Sequence, residues 1–186
     1  NLRRFGLGHW CVHVDMDEAL VFPGLEAGRD LKALTRYFDA NGYGTVQSTM
    51  IDIYPESFAG MAGRDPFEAS CWIERDYPRF PSEFPPYENV YGGVRVRLAK
   101  SNLLRTKAPL LKVTENSWYL MTNHTHTHAP VADLSTALLH YKFVGDLAGR
   151  VREAIDREEH FLGAGHYKAL QSALDAPEQT LKGPDS

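Results

Sequence analysis

The stretch Gly8–Gly24 reads GHWCVHVDMDEALVFPG. Trp10, Val12, Val14 and Met16 alternate with Cys11, His13, Asp15 and Asp17, and a period of two predicts a strand. On that strand the apolar set turns to a core, while His13, Asp15 and Asp17 share the opposite face near the strand's C-terminal end. Pro23-Gly24 closes the segment. A helix is predicted next: Asp30 can cap it, Leu31, Leu34 and Phe38 form its apolar stripe, and Gly42 stands where a C-terminal glycine belongs. A second strand is predicted over Thr45–Tyr54, stopped by Pro55. Strand followed by helix followed by strand is the pattern of an α/β fold.

Further along, Pro78, Pro81, Pro85 and Pro86 crowd a stretch that also holds Tyr77, Phe80, Phe84 and Tyr87, so residues 56–90 are expected to be irregular. After Gly92-Gly93, the alternation of Val94-Arg95-Val96-Arg97-Leu98 predicts a short strand with both arginines on one side. Leu110–Thr114 and Trp118–Thr122 read as a strand pair turned by Glu115-Asn116-Ser117. Phe143, Leu147, Val151 and Ile155 step by four, as on an amphipathic helix. Tyr167, Leu170 and Leu174 mark a final short helix, and 176–186 is a polar tail.

Composition narrows the function classes. The chain has 186 residues, 43% hydrophobic and 24% charged, which is ordinary for a globular protein. Asp and Glu outnumber Lys and Arg by 24 to 20, so wrapping of nucleic acid is not expected. No apolar run approaches the ~18 residues of a membrane span. The two cysteines, Cys11 and Cys71, are too few for a disulfide framework or a four-cysteine zinc site. They are expected to be inert buried thiols in a reducing, cytoplasmic setting.

Asp15-Met16-Asp17-Glu18 is the strongest chemical signal. Two hard oxygen donors at a strand end suit Mg²⁺ or Mn²⁺, which keep positions open for phosphate oxygens. His124, His126 and His128, at a spacing of two, either form a transition-metal face or a polar loop. His140 lies in the apolar run ALLHYKF (Ala137–Phe143), either as a hydrogen-bonded core residue or as a ligand.

GHWCVHVDMDEALVFPG resembles the segment of family 2-like GT-A glycosyltransferases in which an apolar strand delivers a DxDE motif. GYGTVQSTMIDIYPESF (Gly42–Phe58), YGGVRVR (Tyr91–Arg97), KAPLLKV (Lys107–Val113) and ALLHYKF are similar to later segments of that family, in its order. The resemblance implies a GT-A-like fold, a Rossmann-like mixed sheet with flanking helices. It makes residues 1–175 the C-terminal part of such a domain, the nucleotide-binding half that precedes the DxD being absent. Ala19 departs from the aromatic or large aliphatic residue of many relatives. The implied activity is transfer of a sugar from a nucleotide-sugar donor to a glycan or other hydroxyl acceptor. Mn²⁺ or Mg²⁺ would sit on Asp15, Asp17 and His140, with His128 in reserve. Asp15 would also reach the donor ribose, and Gly92, Gly93, Arg95 and Arg97 would meet donor or acceptor. An inverting reaction needs a carboxylate base, and GT-A order leaves Glu115 or Asp133 for it. The competing readings are a non-catalytic carbohydrate-binding or scaffold domain and a histidine-dependent metalloenzyme. Strands lacking their usual neighbours are expected to self-associate through an exposed sheet edge.

Overall fold

The chain forms a strand over Thr45–Asp52 and a helix over Leu31–Ala40, where each is predicted. The computed structural model describes residues 2–59, 61, 64–83, 87–99, 103–120, 123–143, 145–157, 165–175 and 180–183. In chain order the elements are α1 (Leu2–Phe5), β1 (Trp10–Val12), β2 (Glu18–Val21), a 3-10 turn (Leu25–Ala27), α2 (Leu31–Ala40) and β3 (Thr45–Asp52). Then come β4 (Tyr54–Pro55), α3 (Pro66–Ala69), β5 (Ser70–Trp72), β6 (Arg79–Pro81), β7 (Glu88–Val90) and α4 (Val94–Ala99). The last are β8 (Thr106–Lys107), β9 (Leu110–Lys112), β10 (Val131–His140), α5 (Leu147–Arg157) and α6 (Gly165–Leu174). The fold class is mixed α/β, as the strand and helix pattern predicts.

The chain forms two compact units. The first comprises Asn1–Met50, Arg79–Val90 and Arg105–Leu139, and the second Ile51–Pro78, Tyr91–Leu104 and His140–Ser186. The main sheet has the order β1-β9-β3-β10-β2, with β8 also paired to β3. β1 runs antiparallel to β9, Trp10 opposite Lys112 and Val12 opposite Leu110. α2 begins as predicted: the Asp30 Oδ1 accepts from the Ala33 N–H at 2.8 Å. Leu34 and Phe38, on its inner face, join Phe22, Val46 and Leu110 in the core of the first unit. Phe38 is fully buried, a burial that contributes about 1.5–3 kcal/mol. Gly42 takes φ 73° just after the helix, the left-handed conformation expected there.

The second unit is built around Tyr54, Val94, Phe143, Leu147, Val151, Leu170 and Leu181. Here α4 replaces the strand expected from Val94-Arg95-Val96-Arg97-Leu98. Five residues satisfy either period. The helix puts Val94 and Leu98, four apart, on one core-facing side, which a strand would also do only at the cost of burying Val96 with them. The 56–90 stretch is less irregular than its prolines suggest. β4 pairs with β5, and β6 with β7, as short antiparallel ribbons whose prolines lie where a missing donor is tolerated. Phe84, Pro85 and Pro86 lie outside the described residues.

Of the strand expected over Trp118–Thr122, Trp118–Leu120 is not a strand among the described residues: Tyr119 makes an isolated bridge to His126, and β9 has β1 and β3 as its partners. Residues 121–122 lie outside the described residues. The cysteines also differ from expectation: both are free, Cys11 half-buried and Cys71 exposed. Among the described residues, no helix is long and apolar enough to cross a membrane.

Candidate functional site

Asp15 to Glu18 is a turn. β1 ends at Val12, and the alternation is overridden by local hydrogen bonding of the acidic residues. The Glu18 N–H donates to the Asp15 carbonyl at 3.1 Å, and the Asp15 N–H donates back to Glu18 Oε2 at 3.1 Å. Met16 is thereby thrown into solvent, fully exposed, whereas a continued strand would have turned it inward.

The turn closes around a cation supplied by β8. Lys107 Nζ lies 2.7 Å from Asp15 Oδ2 and 2.5 Å from Glu18 Oε1. The ammonium is 3% exposed and the Glu18 side chain fully buried, while Asp15 remains about half exposed at 55%. Partial burial works to raise the Asp15 pKa, but the Lys107 hydrogen bond and charge outweigh it, so the carboxyl titrates below its ordinary range. His124 stands beside Lys107: its Nδ1–H donates to the Thr106 carbonyl at 2.8 Å, which fixes the neutral ring as the Nδ1–H tautomer and leaves Nε2 as the acceptor nitrogen. Burial holds His124 below the ordinary imidazole value, and the charges of Lys107, Glu18 and Asp15 all reach it. Asn123 Nδ2 donates to the His13 carbonyl at 2.8 Å, tying the histidine loop to the strand that leads into the acidic turn.

Of the other two loop histidines, His126 accepts at Nε2 from the Tyr87 hydroxyl in a short contact. His128 contributes its carbonyl to the Ser117 hydroxyl at 3.0 Å. The trio is therefore a loop with separate attachments, the polar-loop reading of the two.

A second cluster forms in the second unit. Asp52, the last residue of β3, is a fully buried carboxylate. Arg95 grips both its oxygens, Nε to Oδ2 and Nη2 to Oδ1, each at 3.0 Å. His140, the last residue of β10, donates Nδ1–H to Asp52 Oδ1 at 2.7 Å. Arg97 donates from Nε to Glu74 Oε1 at 3.0 Å and also reaches the Leu181 carbonyl. The two arginines thus sit on α4, each engaged by a carboxylate of the chain, in place of the open strand face expected for a diphosphate. Gly92 has φ 111°, and a Cβ there would stand 2.9 Å from the Asp76 carbonyl. Its lack of a side chain is needed for close packing against the chain's own backbone. Gly93 follows with φ 83°.

The expected bases lie in the first unit. Glu115 is on an exposed turn, and Asp133 on β10 accepts from the Tyr37 hydroxyl at 2.8 Å.

The divalent ion implied for Asp15, Asp17 and His140 does not fit the residues as they are arranged. Asp15 and Glu18 share the Lys107 ammonium, and His140 is on Asp52. Among the described residues, no group of three or more His, Cys, Asp or Glu is disposed to hold a metal. Sequence reasoning passed over Lys107, Asp52 and Glu74, and met His124 only as one of the three loop histidines. A signal existed for Asp52, a carboxylate inside the apolar run Met50–Tyr54 that must be paired if buried.

No family model, curated protein or solved structure matches the chain.

Proposed function

We propose that the chain is part of a GT-A-like glycosyltransferase that moves a sugar from a nucleotide-sugar donor to a hydroxyl acceptor. One observation supports this reading above the others. The five phrases that resemble the family fall into two contact clusters. DMDE and KAPLLKV supply Asp15, Glu18 and Lys107 to the first. IDIYP, GGVR and LLHYKF supply Asp52, Arg95 and His140 to the second.

At the acidic turn, Asp15, Asp17 and Glu18 lie within four residues, and Asp15 keeps about half of its side chain in solvent beside Lys107. An accessible carboxylate there favours the positive charge that develops on a sugar ring as its bond to the leaving group breaks. We assign the acceptor-activating carboxylate to Glu115, which its exposed turn leaves open to an acceptor. A second reading, a carbohydrate-binding domain without turnover, is favoured by the engagement of Asp15 and Glu18 on Lys107.

Calorimetry with a panel of UDP-, GDP- and CMP-sugars, with glycans as a separate series, tests both. Binding of one donor that is lost in a folded Asp17→Asn variant is the expected result. Glycan binding with no donor binding selects the second reading. Donor binding indifferent to both Asp15→Asn and Asp17→Asn would place the donor away from the acidic turn and overturn the proposal.

A further inference from the structure

Phosphate recognition needs several donors converging on a concave surface, and the second unit has one such place. A cavity of about 240 Å³ lies against α5, lined by Lys142, Leu147, Arg150, Glu153, Arg157 and Tyr167 among others. Arg150, Glu153 and Arg157 fall on one face of α5 by their spacing of three and seven residues. At 1.5 Å per residue the two arginines are about 10 Å apart along the axis. Lys142 enters from the turn after β10. Its Nζ donates to the Tyr167 hydroxyl at 3.2 Å and stands 5.2 Å from the centre of that ring. Arg150 Nη2 donates to the Lys142 carbonyl at 3.2 Å, which joins the two cationic residues at one end of the cavity. Glu153 is paired with Arg157 at 2.5 Å, and the described lining residues carry three cationic side chains, Lys142, Arg150 and Arg157, against that one carboxylate.

We propose that this cavity binds a phosphate monoester, with Lys142, Arg150 and Tyr167 as the groups that hold the phosphate oxygens and Arg157 at the far end. An ammonium, a guanidinium fork and a hydroxyl approach from different elements, which suits a tetrahedral anion with several acceptor oxygens better than a flat carboxylate. The Leu147 side chain gives the floor an apolar portion for the carbon skeleton of the ester. The inference uses the second unit alone and is independent of the transferase reading.

The test is calorimetric titration of the full 186-residue chain with inorganic phosphate and with pyrophosphate. Flotation with phosphatidylcholine vesicles, with and without phosphatidic acid, forms a second arm. Loss of one charge-assisted hydrogen bond lowers affinity by about tenfold, the change expected in Lys142→Gln and Arg150→Gln. Arg152→Gln, on α5 but outside the lining, should bind as the parent does. Tyr167→Phe, which removes one hydroxyl and keeps the ring, should weaken binding without disturbing the fold. Phosphate binding in solution identifies a soluble ester, and binding only to phosphatidic acid vesicles identifies a lipid headgroup. Either supports the site if Arg150→Gln weakens it by about tenfold. Absence of binding in both arms, or equal losses in Arg150→Gln and Arg152→Gln, overturns it.

Discussion

Lys107 illustrates how one side chain sets the chemistry of its surroundings. Lys107, with 3% exposure, is buried against Asp15 and Glu18, and that pairing offsets the cost of taking its ammonium out of water. The same contact puts it in competition with any divalent ion for those oxygens. Lys107→Gln should therefore raise Mn²⁺ affinity by about tenfold, because the count of available carboxylates sets affinity for hard cations. Calorimetry on a variant whose circular dichroism matches the parent checks this, and an unchanged or weaker Mn²⁺ affinity would show that the ammonium does not guard the turn. His124 and His126 give a pH dependence. Burial is the leading cause that depresses both, against backbone hydrogen bonds that act to raise them. The folded imidazoles resist protons that the unfolded chain accepts below about pH 6.5. Stability contributed by the neutral rings is thus full above that value, declines as pH falls toward the lower folded values, and then levels off. Urea midpoints at pH 7.5 and 5.5 should differ in this sense, and His124→Gln should flatten the difference.

Among the elements, α4 is the one whose identity depends most on its contacts. It is a six-residue helix, too short to persist by propensity. Val94 and Leu98 pack it into the second unit's core, while Arg95 and Arg97 tie its other side to Asp52 and Glu74. Arg95→Leu leaves the buried Asp52 with a reduced set of partners, and breaking such a pair costs about 3–5 kcal/mol. The loss should be read as a lowered thermal midpoint with disappearance of tertiary circular dichroism at lower temperature. A change below about 1 kcal/mol would put Asp52 in water, contrary to its burial. The β6–β7 ribbon belongs to the same scale. Arg79 and Glu88 face each other across the ribbon at 2.9 Å, both about half exposed, so the pair adds register more than stability.

For the whole molecule the main sheet ends at β1 and β2, so both are edge strands. Val12 is 50% exposed and Val14 37%, an apolar margin on the β1 edge. Such margins favour strand-to-strand association. Sedimentation should show concentration-dependent oligomers, and Val12→Lys should shift the chain toward monomer. A parent chain that is monomeric at all concentrations would remove the edge from consideration.

Much of the local structure was legible from residues that need only near neighbours. The Asp30 cap, the Leu34–Phe38 stripe, the turn at Gly42 and the strand from Thr45 follow from hydrogen bonds and periodicity within a few residues. The acidic turn was legible as a concentration of carboxylates, although its being a turn and not the end of a strand was not, because the hydrogen bonds between Asp15 and Glu18 override the alternation. What only the tertiary structure decided are the partners. Lys107 lies 92 positions from Asp15, and His140 lies 88 from Asp52. Nothing in the flanking residues distinguishes a lysine destined for a buried carboxylate from one left in water, since the pairing exists only once β8 and β10 have taken their places beside β3. The same holds for α4, where five residues fit two periods and the core against which Val94 and Leu98 close selects one.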